Sequence, residues 1–285
     1  MRVMKFGGTS VGSAVQIRKV AGLIGNKSPK IVVLSAMSGT TNTLVEIAGT
    51  LKDGDCFRFG ELVGQLEFKY VETVNDLFGT ESCRRLAVDG MTDCFRTLWK
   101  MPQAGYTPEN EKVILAQGEL LSTLLMHLCL KEMNIESVVL PALEFMRLGG
   151  NGEPDGRFIR RNLCKYLRQH RKCSLFITQG YICRNAAGEI DNLQRGGSDY
   201  TASLIGAAVR AEEIQIWTDI DGLHNNDPRI VPNTVRVRLL IPAGLFRCEN
   251  PASALYPARR ETPYSGPIAQ YDAAGGTRYA DYRMC

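Results

Sequence analysis

The chain has 285 residues, with 34 lysines and arginines against 30 aspartates and glutamates, and a formal net charge of +4. Hydrophobic residues make up 44% and charged residues 22%, which is ordinary for a folded protein and excludes a mostly disordered chain. The positive excess is slight and spread out, so it gives no support for a nucleic-acid partner. No apolar run reaches the roughly 18 residues of a membrane span, and we expect neither a membrane partner nor a signal peptide.

The nine cysteines are scattered and contain no Cys-x-x-Cys pair, and the three histidines do not stand at metal-ligand spacing. This pattern predicts reduced thiols in a cytoplasmic protein. It also predicts that no metal is held directly by protein side chains.

Short apolar runs alternate with helical periodicity. Strands are predicted at Val3–Phe6, Lys30–Ala36, Ser137–Pro141, Ser174–Gln179 and Ile214–Thr218. Helices are predicted at Ala14–Ile24, Thr43–Leu51, 57–100, Glu111–Met133 (with an interruption near Gln117), Phe158–Gln169 and Tyr200–Val209, with loops at Met101–Asn110, Leu148–Gly156 and 183–198. Strands that alternate with helices predict an α/β protein with a mainly parallel sheet.

A glycine pair directly follows the first strand, in the sequence Lys5-Phe6-Gly7-Gly8-Thr9-Ser10. Two glycines let the backbone approach a phosphate, the next helix supplies amide donors, and Lys5 adds positive charge. The alternative is a tight turn between a strand and a helix.

The second strand ends in hydroxyl-rich sequence, from Ser35 to Thr41 and Asn42. Because ligands bind at the carboxyl ends of strands in open α/β sheets, these hydroxyls suit an anion. Capping of the next helix by Thr41 or Asn42 would explain the same residues.

Three further groups of residues are candidates for a binding or catalytic site. Arg195 stands beside two glycines, Ser198 and Asp199, a set that can grip a carboxylate or simply cap a helix. The sequence from Trp217 to Arg229, with Thr218 and Asp219, can hold a nucleotide or form a cluster of turns. Glu119 follows a glycine on an apolar helix, where it is either a boundary residue or a ligand at a place of close approach.

Together these motifs resemble the catalytic domain of aspartokinases, in the amino acid kinase superfamily. The resemblance runs from Met1 to about Leu240 and rests on five motifs in the family's order. It implies a three-layer αβα sandwich with a mainly parallel central sheet. It also implies ATP- and Mg²⁺-dependent phosphorylation of the L-aspartate side-chain carboxylate to 4-phospho-L-aspartate, the first step toward lysine, threonine and methionine.

The resemblance implies a role for each matching position. ATP phosphate contacts fall on Lys5, Gly7, Gly8, Thr9 and Ser10, and other nucleotide contacts fall on Thr218, Asp219 and Arg229. His224 occupies the place of the family's nucleotide-contacting aromatic residue. Aspartate-binding residues fall on Ser35, Thr41, Glu119, Arg195 and Ser198, and Asp199 joins Lys5 as a catalytic residue. The substrate carboxylate is already ionised at pH 7, so no general base is needed.

The last 45 residues do not continue the family's sequence, and we expect domains at 1–240 and 241–285. One permitted coding of residues 246–253, shifted by one base, reads Phe-Gly-Ala-Lys-Ile-Leu-His-Pro, as in the family. Residues 263–273 can be coded so that the same shift restores a second family motif. We therefore expect an out-of-frame tail of poor packing, no regulatory ACT domains (through which relatives often form homodimers) and weak or no activity.

Two other functions stay open on the sequence. One is phosphorylation of a related acceptor, such as N-acetylglutamate, glutamate or a nucleoside monophosphate. The other is a non-catalytic kinase that binds ATP without turnover.

Overall fold

The computed structural model describes residues 1–193, 196–218 and 233–235, and the backbone of residues 268 and 269. Its central sheet has six strands in the order β3-β4-β2-β1-β7-β8, and every neighbouring pair is parallel. These strands are β1 (Arg2–Phe6), β2 (Lys30–Leu34), β3 (Val138–Leu140), β4 (Leu175–Gln179), β7 (Glu213–Trp217) and β8 (Ile268–Ala269). A separate antiparallel hairpin consists of β5 (Ile182–Arg184) and β6 (Ile190–Asn192).

Helices cover both faces of this sheet. The described helices are α1 (Ala14–Ile24), α2 (Thr40–Asp53), α3 (Cys56–Leu77), α4 (Glu81–Ala104), α5 (Pro108–Glu132), α6 (Ala142–Phe145), α7 (Gly156–Gln169) and α8 (Gly197–Val209). Side chains of β1 and β2 alternate between two cores, because successive residues of a strand point to opposite faces. Met4 and Val32 pack with α1 to α5, whereas Val3, Ile31 and Val33 pack with α6 to α8. The predicted three-layer αβα sandwich with a mainly parallel sheet is confirmed.

The register of the strands brings their carboxyl ends into one row. Phe6 lies opposite Leu34 on one side and Trp217 on the other, and Leu34 lies opposite Gln179. The chain builds β2, β4 and β3 on one side of β1 before it adds β7 on the other side. Ligands of open α/β sheets bind where the direction of strand addition reverses in this way, at the carboxyl ends.

Several helix boundaries differ from the sequence predictions. The predicted helix 57–100 divides into α3 and α4 at residues 78–80, where the side chain of Thr80 caps α4. The predicted loop Met101–Asn110 is shorter, because α4 continues to Ala104 with Pro102 inside it, and α5 already starts at Pro108. The expected interruption near Gln117 is absent, since α5 is one continuous helix over its 25 residues.

Helix α5 also differs from the expectation that no segment could span a membrane. By length and composition it is apolar enough to do so, but 72% of its most apolar window is buried inside the fold. Its apolar residues therefore form the core between α2, α4 and the sheet.

Two short elements were not predicted from the sequence. The predicted loop 183–198 contains most of the β5–β6 hairpin and the start of α8, and α6 is a single turn that was not predicted. Within the tail, expected to lack strand character, residues 268 and 269 pair with Ile214 and Gln215 of β7.

Candidate functional site

Lys5 and Asp199 form an ion pair at the carboxyl edge of the sheet. Lys5 lies one residue before the end of β1, on the face that packs against α8, and Asp199 lies in the first turn of α8. Lys5 Nζ is 2.7 Å from Asp199 Oδ1, and their side chains are 12% and 23% exposed. The Oδ1 atom is itself buried and has no other polar partner among the described residues. A largely desolvated charge pair of this kind holds both groups in fixed positions.

The glycine loop that follows β1 leaves backbone donors free. Gly7 donates its N–H to the Trp217 carbonyl at 3.3 Å, and Ser10 donates to the Gly7 carbonyl at 3.0 Å in a single 3₁₀ turn. Within the described part of the chain, the N–H groups of Gly8 and Thr9 have no acceptor. Ser13 caps α1 with its own side chain after that turn, so the amides nearest to the glycines are those at the start of the 3₁₀ turn. The loop itself offers the donors that a phosphate requires.

Gly8 is required by close packing against the end of β2. A Cβ atom at Gly8 would lie 2.8 Å from the Ala36 carbonyl oxygen, closer than real side chains approach. Gly8 also accepts the Ser38 N–H at 3.1 Å, and Ser35 donates its N–H to the Phe6 carbonyl at 3.2 Å. The first two motifs therefore form one contiguous surface.

Neither α2 nor α8 uses the predicted polar residues as N-caps. The N-cap of α2 is Gly39, with φ +79°, so Thr41 lies inside the first turn, where it is exposed. The N-cap of α8 is Gly196, with φ +81°, and Ser198 lies inside its first turn. Capping thus does not account for Thr41, Ser198 or Asp199, and the Asp199 carboxylate is paired with Lys5 instead.

Glu119 lies at the same edge of the sheet but inside the protein. It is 4% exposed, and its Oε1 accepts the Ala36 N–H at 3.1 Å. Burial raises the pKa of Glu119 to about 8, against opposing effects from that hydrogen bond and from the nearby positive charge of Lys5. At pH 7 this carboxyl is therefore largely protonated until a cation reaches it.

The approach of α5 to the end of β2 depends on Gly118. A Cβ atom there would lie 2.7 Å from Ala36 Cβ and 3.3 Å from Leu44 Cδ1. We expect Gly118→Ala to push Ala36 away from Glu119 and to lower the free energy of unfolding by about 1–3 kcal/mol, measured by urea denaturation.

Gly49→Ala is the matched control, because Gly49 lies in α2 with open space around it. Alanine favours a helix over glycine, so this variant is expected to be up to about 1 kcal/mol more stable than the wild type. Equal stabilisation of both variants would show that the contact at Gly118 does not restrict the backbone.

The first turn of α8 packs directly on the end of β4. A Cβ atom at Gly180 would lie 2.5 Å from the Ser198 Oγ, and Gly180 donates its N–H to the Leu34 carbonyl at 2.8 Å. Ser198 is therefore fixed beside the ends of β2 and β4, a short distance along the sheet from Ser35.

Three polar residues at this edge were not predicted as site residues from the sequence. Lys69 of α3 donates to the Ser38 carbonyl at 2.7 Å, and the Tyr70 hydroxyl lies 3.1 Å from the Thr40 Oγ1. Gln179, at the end of β4, donates to Thr123 of α5 at 2.9 Å. Lys69 and Tyr70 sit among ordinary helical periodicity, so no local signal distinguishes them.

Thr218 directly follows β7 and therefore lies at the same edge of the sheet. Arg195, Asp219, His224 and Arg229 lie outside the described residues. In the described ranges, no three histidine, cysteine, aspartate or glutamate side chains come together as a metal site. A cavity of about 300 Å³ lies elsewhere, and its lining contains none of the predicted site residues.

The sequence matches the amino acid kinase family over residues 1–243. It is 29% identical over 286 aligned residues to lysine-sensitive aspartokinase 3 of Escherichia coli (strain K12), covering 96% of this chain and 63% of that protein. It is 30% identical over 247 residues to an aspartokinase of Chlamydia muridarum, covering 84% of this chain and 52% of that protein. The chain therefore spans about half to two thirds of the length of these relatives.

Solved structures give the same result. E. coli aspartokinase III in complex with lysine and aspartate superimposes with a TM-score of 0.81 at 26% identity, over 100% of this chain and 64% of that one. The same enzyme in complex with aspartate and ADP gives a TM-score of 0.75 at 27% identity, over 97% and 64%. The resemblance to aspartokinases is confirmed, and the chain belongs to the amino acid kinase family.

Proposed function

We propose that this chain transfers the γ-phosphoryl group of ATP to the side-chain carboxylate of L-aspartate. The observation that carries the proposal is the Lys5–Asp199 pair, which places a fixed ammonium group beside the glycine loop at the carboxyl edge of the sheet. The similarity to aspartokinases supports aspartate as the acceptor.

The reaction needs positioning and charge stabilisation more than proton transfer. A carboxylate oxygen of aspartate attacks the γ-phosphorus, and the bond between that phosphorus and the bridging oxygen of ADP breaks. Lys5 and the amides of Gly8 and Thr9 stabilise the negative charge on the transferring group, with Thr9 and Ser10 adding hydroxyl donors. Mg²⁺, brought with ATP, would neutralise further charge on the phosphates.

The acceptor is held by groups that follow β2, that lie in the middle of α5 and that lie in the first turns of α2 and α8. Glu119 receives the ammonium group of aspartate, while Ser35, Thr41 and Ser198 donate to its carboxylates. Arg195 orients the α-carboxylate. Thr218, which directly follows β7, contacts the nucleotide together with Asp219, His224 and Arg229.

This proposal is tested by trapping the product. An acyl phosphate reacts with hydroxylamine to give a hydroxamate, so the full chain is incubated with ATP, Mg²⁺, hydroxylamine and either L-aspartate or N-acetylglutamate. We expect slow hydroxamate formation that depends on aspartate, together with aspartate and ATP binding by calorimetry. Product from N-acetylglutamate would instead support the related-acceptor function, and ATP binding without any product would support a non-catalytic kinase.

We also propose that residues 1–240 form the catalytic domain and that residues 241–285 are an out-of-frame tail. The support is the family motif that a one-base shift restores within residues 246–253. The coding DNA decides this point, because codons that do not give the motif after the shift would refute it. Fast turnover by the present chain would also contradict the out-of-frame tail while leaving the aspartate kinase function intact.

A further inference from the structure

Positive charge is concentrated on α7 and the residues that follow it. Residues 156–188 contain no aspartate or glutamate. Seven cations fall in the first half of that stretch: Arg157, Arg160, Arg161, Lys165, Arg168, Arg171 and Lys172. This local charge exceeds the +4 of the whole chain, so the remainder is net negative. The sequence expectation of evenly spread charge was wrong.

The fold turns these residues into one continuous surface. All seven cations are exposed, whereas Ile159 and Leu163 on the opposite face of α7 are buried in the core. Positions three or four apart lie on one side of a helix, so the cations from Arg157 to Arg168 extend over about 17 Å. None of the seven forms an ion pair with an acid of the described residues.

The apolar contacts of α7 argue against a membrane and against single-stranded nucleic acid. A membrane-binding helix inserts its apolar face, but that face of α7 is occupied by the core. Single-strand binders stack bases on free aromatic rings. The guanidinium groups of Arg147 and Arg161 lie over the Phe158 ring, at 5.1 and 5.6 Å from its centroid, so this ring is not free to stack on a base.

We propose that the α7 surface binds the phosphate backbone of double-stranded DNA without reading its sequence. Duplex DNA carries one negative charge per about 1.7 Å of its axis, which presents several phosphates to a rigid row of cations 17 Å long. Because the row is fixed to the kinase core, this binding is separate from the candidate site and would bring the enzyme to a polyanion.

The test measures fluorescence anisotropy of a labelled 20-base-pair DNA with the full chain across a range of salt concentrations. We expect micromolar binding at low salt and a slope of log affinity against log salt near about −4, as for four or five phosphate contacts. The variant Arg157→Gln/Arg160→Gln/Lys165→Gln/Arg168→Gln/Arg171→Gln is expected to lose about tenfold or more in affinity and most of that slope. It keeps Arg161 and its contact with Phe158.

The matched control removes five exposed cations elsewhere: Lys19→Gln/Lys27→Gln/Arg85→Gln/Lys100→Gln/Lys131→Gln. We expect its affinity to stay within about twofold of the wild type. Equal losses in both variants, tighter binding to single-stranded DNA, or tighter binding to phosphatidylserine vesicles would each overturn the proposal. If the five-residue variant does not fold, Lys165→Gln/Arg168→Gln against Lys19→Gln/Lys27→Gln makes the same comparison.

Discussion

Replacement of Lys5 by alanine is expected to lower the rate constant of phosphoryl transfer by about 100-fold or more, with a much smaller change in KM for aspartate. Lys5 is held 2.7 Å from Asp199 near the end of β1, beside the glycine-loop amides that have no acceptor among the described residues. In the proposed reaction its charge faces the phosphates of ATP, where negative charge changes during transfer. The measurement is single-turnover transfer from radiolabelled ATP, which resolves slow chemistry.

The control for this variant is Lys19→Ala, which removes an exposed lysine of α1. Because Lys5→Ala leaves the buried Asp199 Oδ1 without a partner among the described residues, the thermal unfolding of both variants is measured alongside. An unchanged rate constant in a folded Lys5→Ala protein would show that Lys5 has no role in the transition state.

The parallel sheet was predictable because short strands rich in apolar residues alternate with helices along the chain, and β2 in particular is a nearly continuous apolar run. Every residue of β2 is buried, as expected for a strand covered by helices on both faces. The β5–β6 hairpin was not predictable in the same way, because its three-residue strands contain few apolar side chains and turn at Gly188, with φ +88°. Pro102 predicted a loop from Met101, but α4 continues to Ala104, and Met101 in its last turn is buried.

The position of the site was predictable, but its internal contacts were not. Parallel strands bring their carboxyl ends to one edge, and this rule alone places Lys5, Ser35 and Thr218 together. The contact of Glu119 with Ala36 joins residues 83 positions apart, and it exists because Gly118 lets α5 approach the end of β2. No spacing in the sequence encodes that approach. The contact of Lys69 with the Ser38 carbonyl likewise depends on where α3 packs.

The stability of the folded protein is expected to depend on pH through the protonation of Glu119. Burial raises its pKa in the folded protein to about 8, from an ordinary value of 4.5. Below pH 4.5 the carboxyl is protonated in both states, and between 4.5 and 8 only the folded protein keeps the proton. The stability that this group contributes is therefore fully present at low pH and is lost as the pH rises through 8.

We expect Glu119→Gln to remove this dependence, because the amide is neutral at every pH and has a similar shape. Between pH 5 and 9 the free energy of unfolding should fall by about 4 kcal/mol more in the wild type than in Glu119→Gln. Urea denaturation at pH 5, 7 and 9 measures the difference, and Glu46→Gln, an exposed position on α2, serves as the control. Parallel pH profiles for wild type and Glu119→Gln would contradict the raised pKa.

The same ionisation of Glu119 should control the affinity of the protein for aspartate. Only the carboxylate form of Glu119 attracts the ammonium group of aspartate, so affinity for aspartate is expected to increase as the pH rises from 6 to 8.5. In Glu119→Gln the affinity should be weak and nearly independent of pH over this range, as measured by calorimetry. Because a bound ammonium group compensates the buried charge, aspartate should also bind with release of a proton to the buffer, and this release should disappear in the variant. Proton release that persists in Glu119→Gln would assign the ionisation to another group and remove Glu119 from the proposed aspartate site.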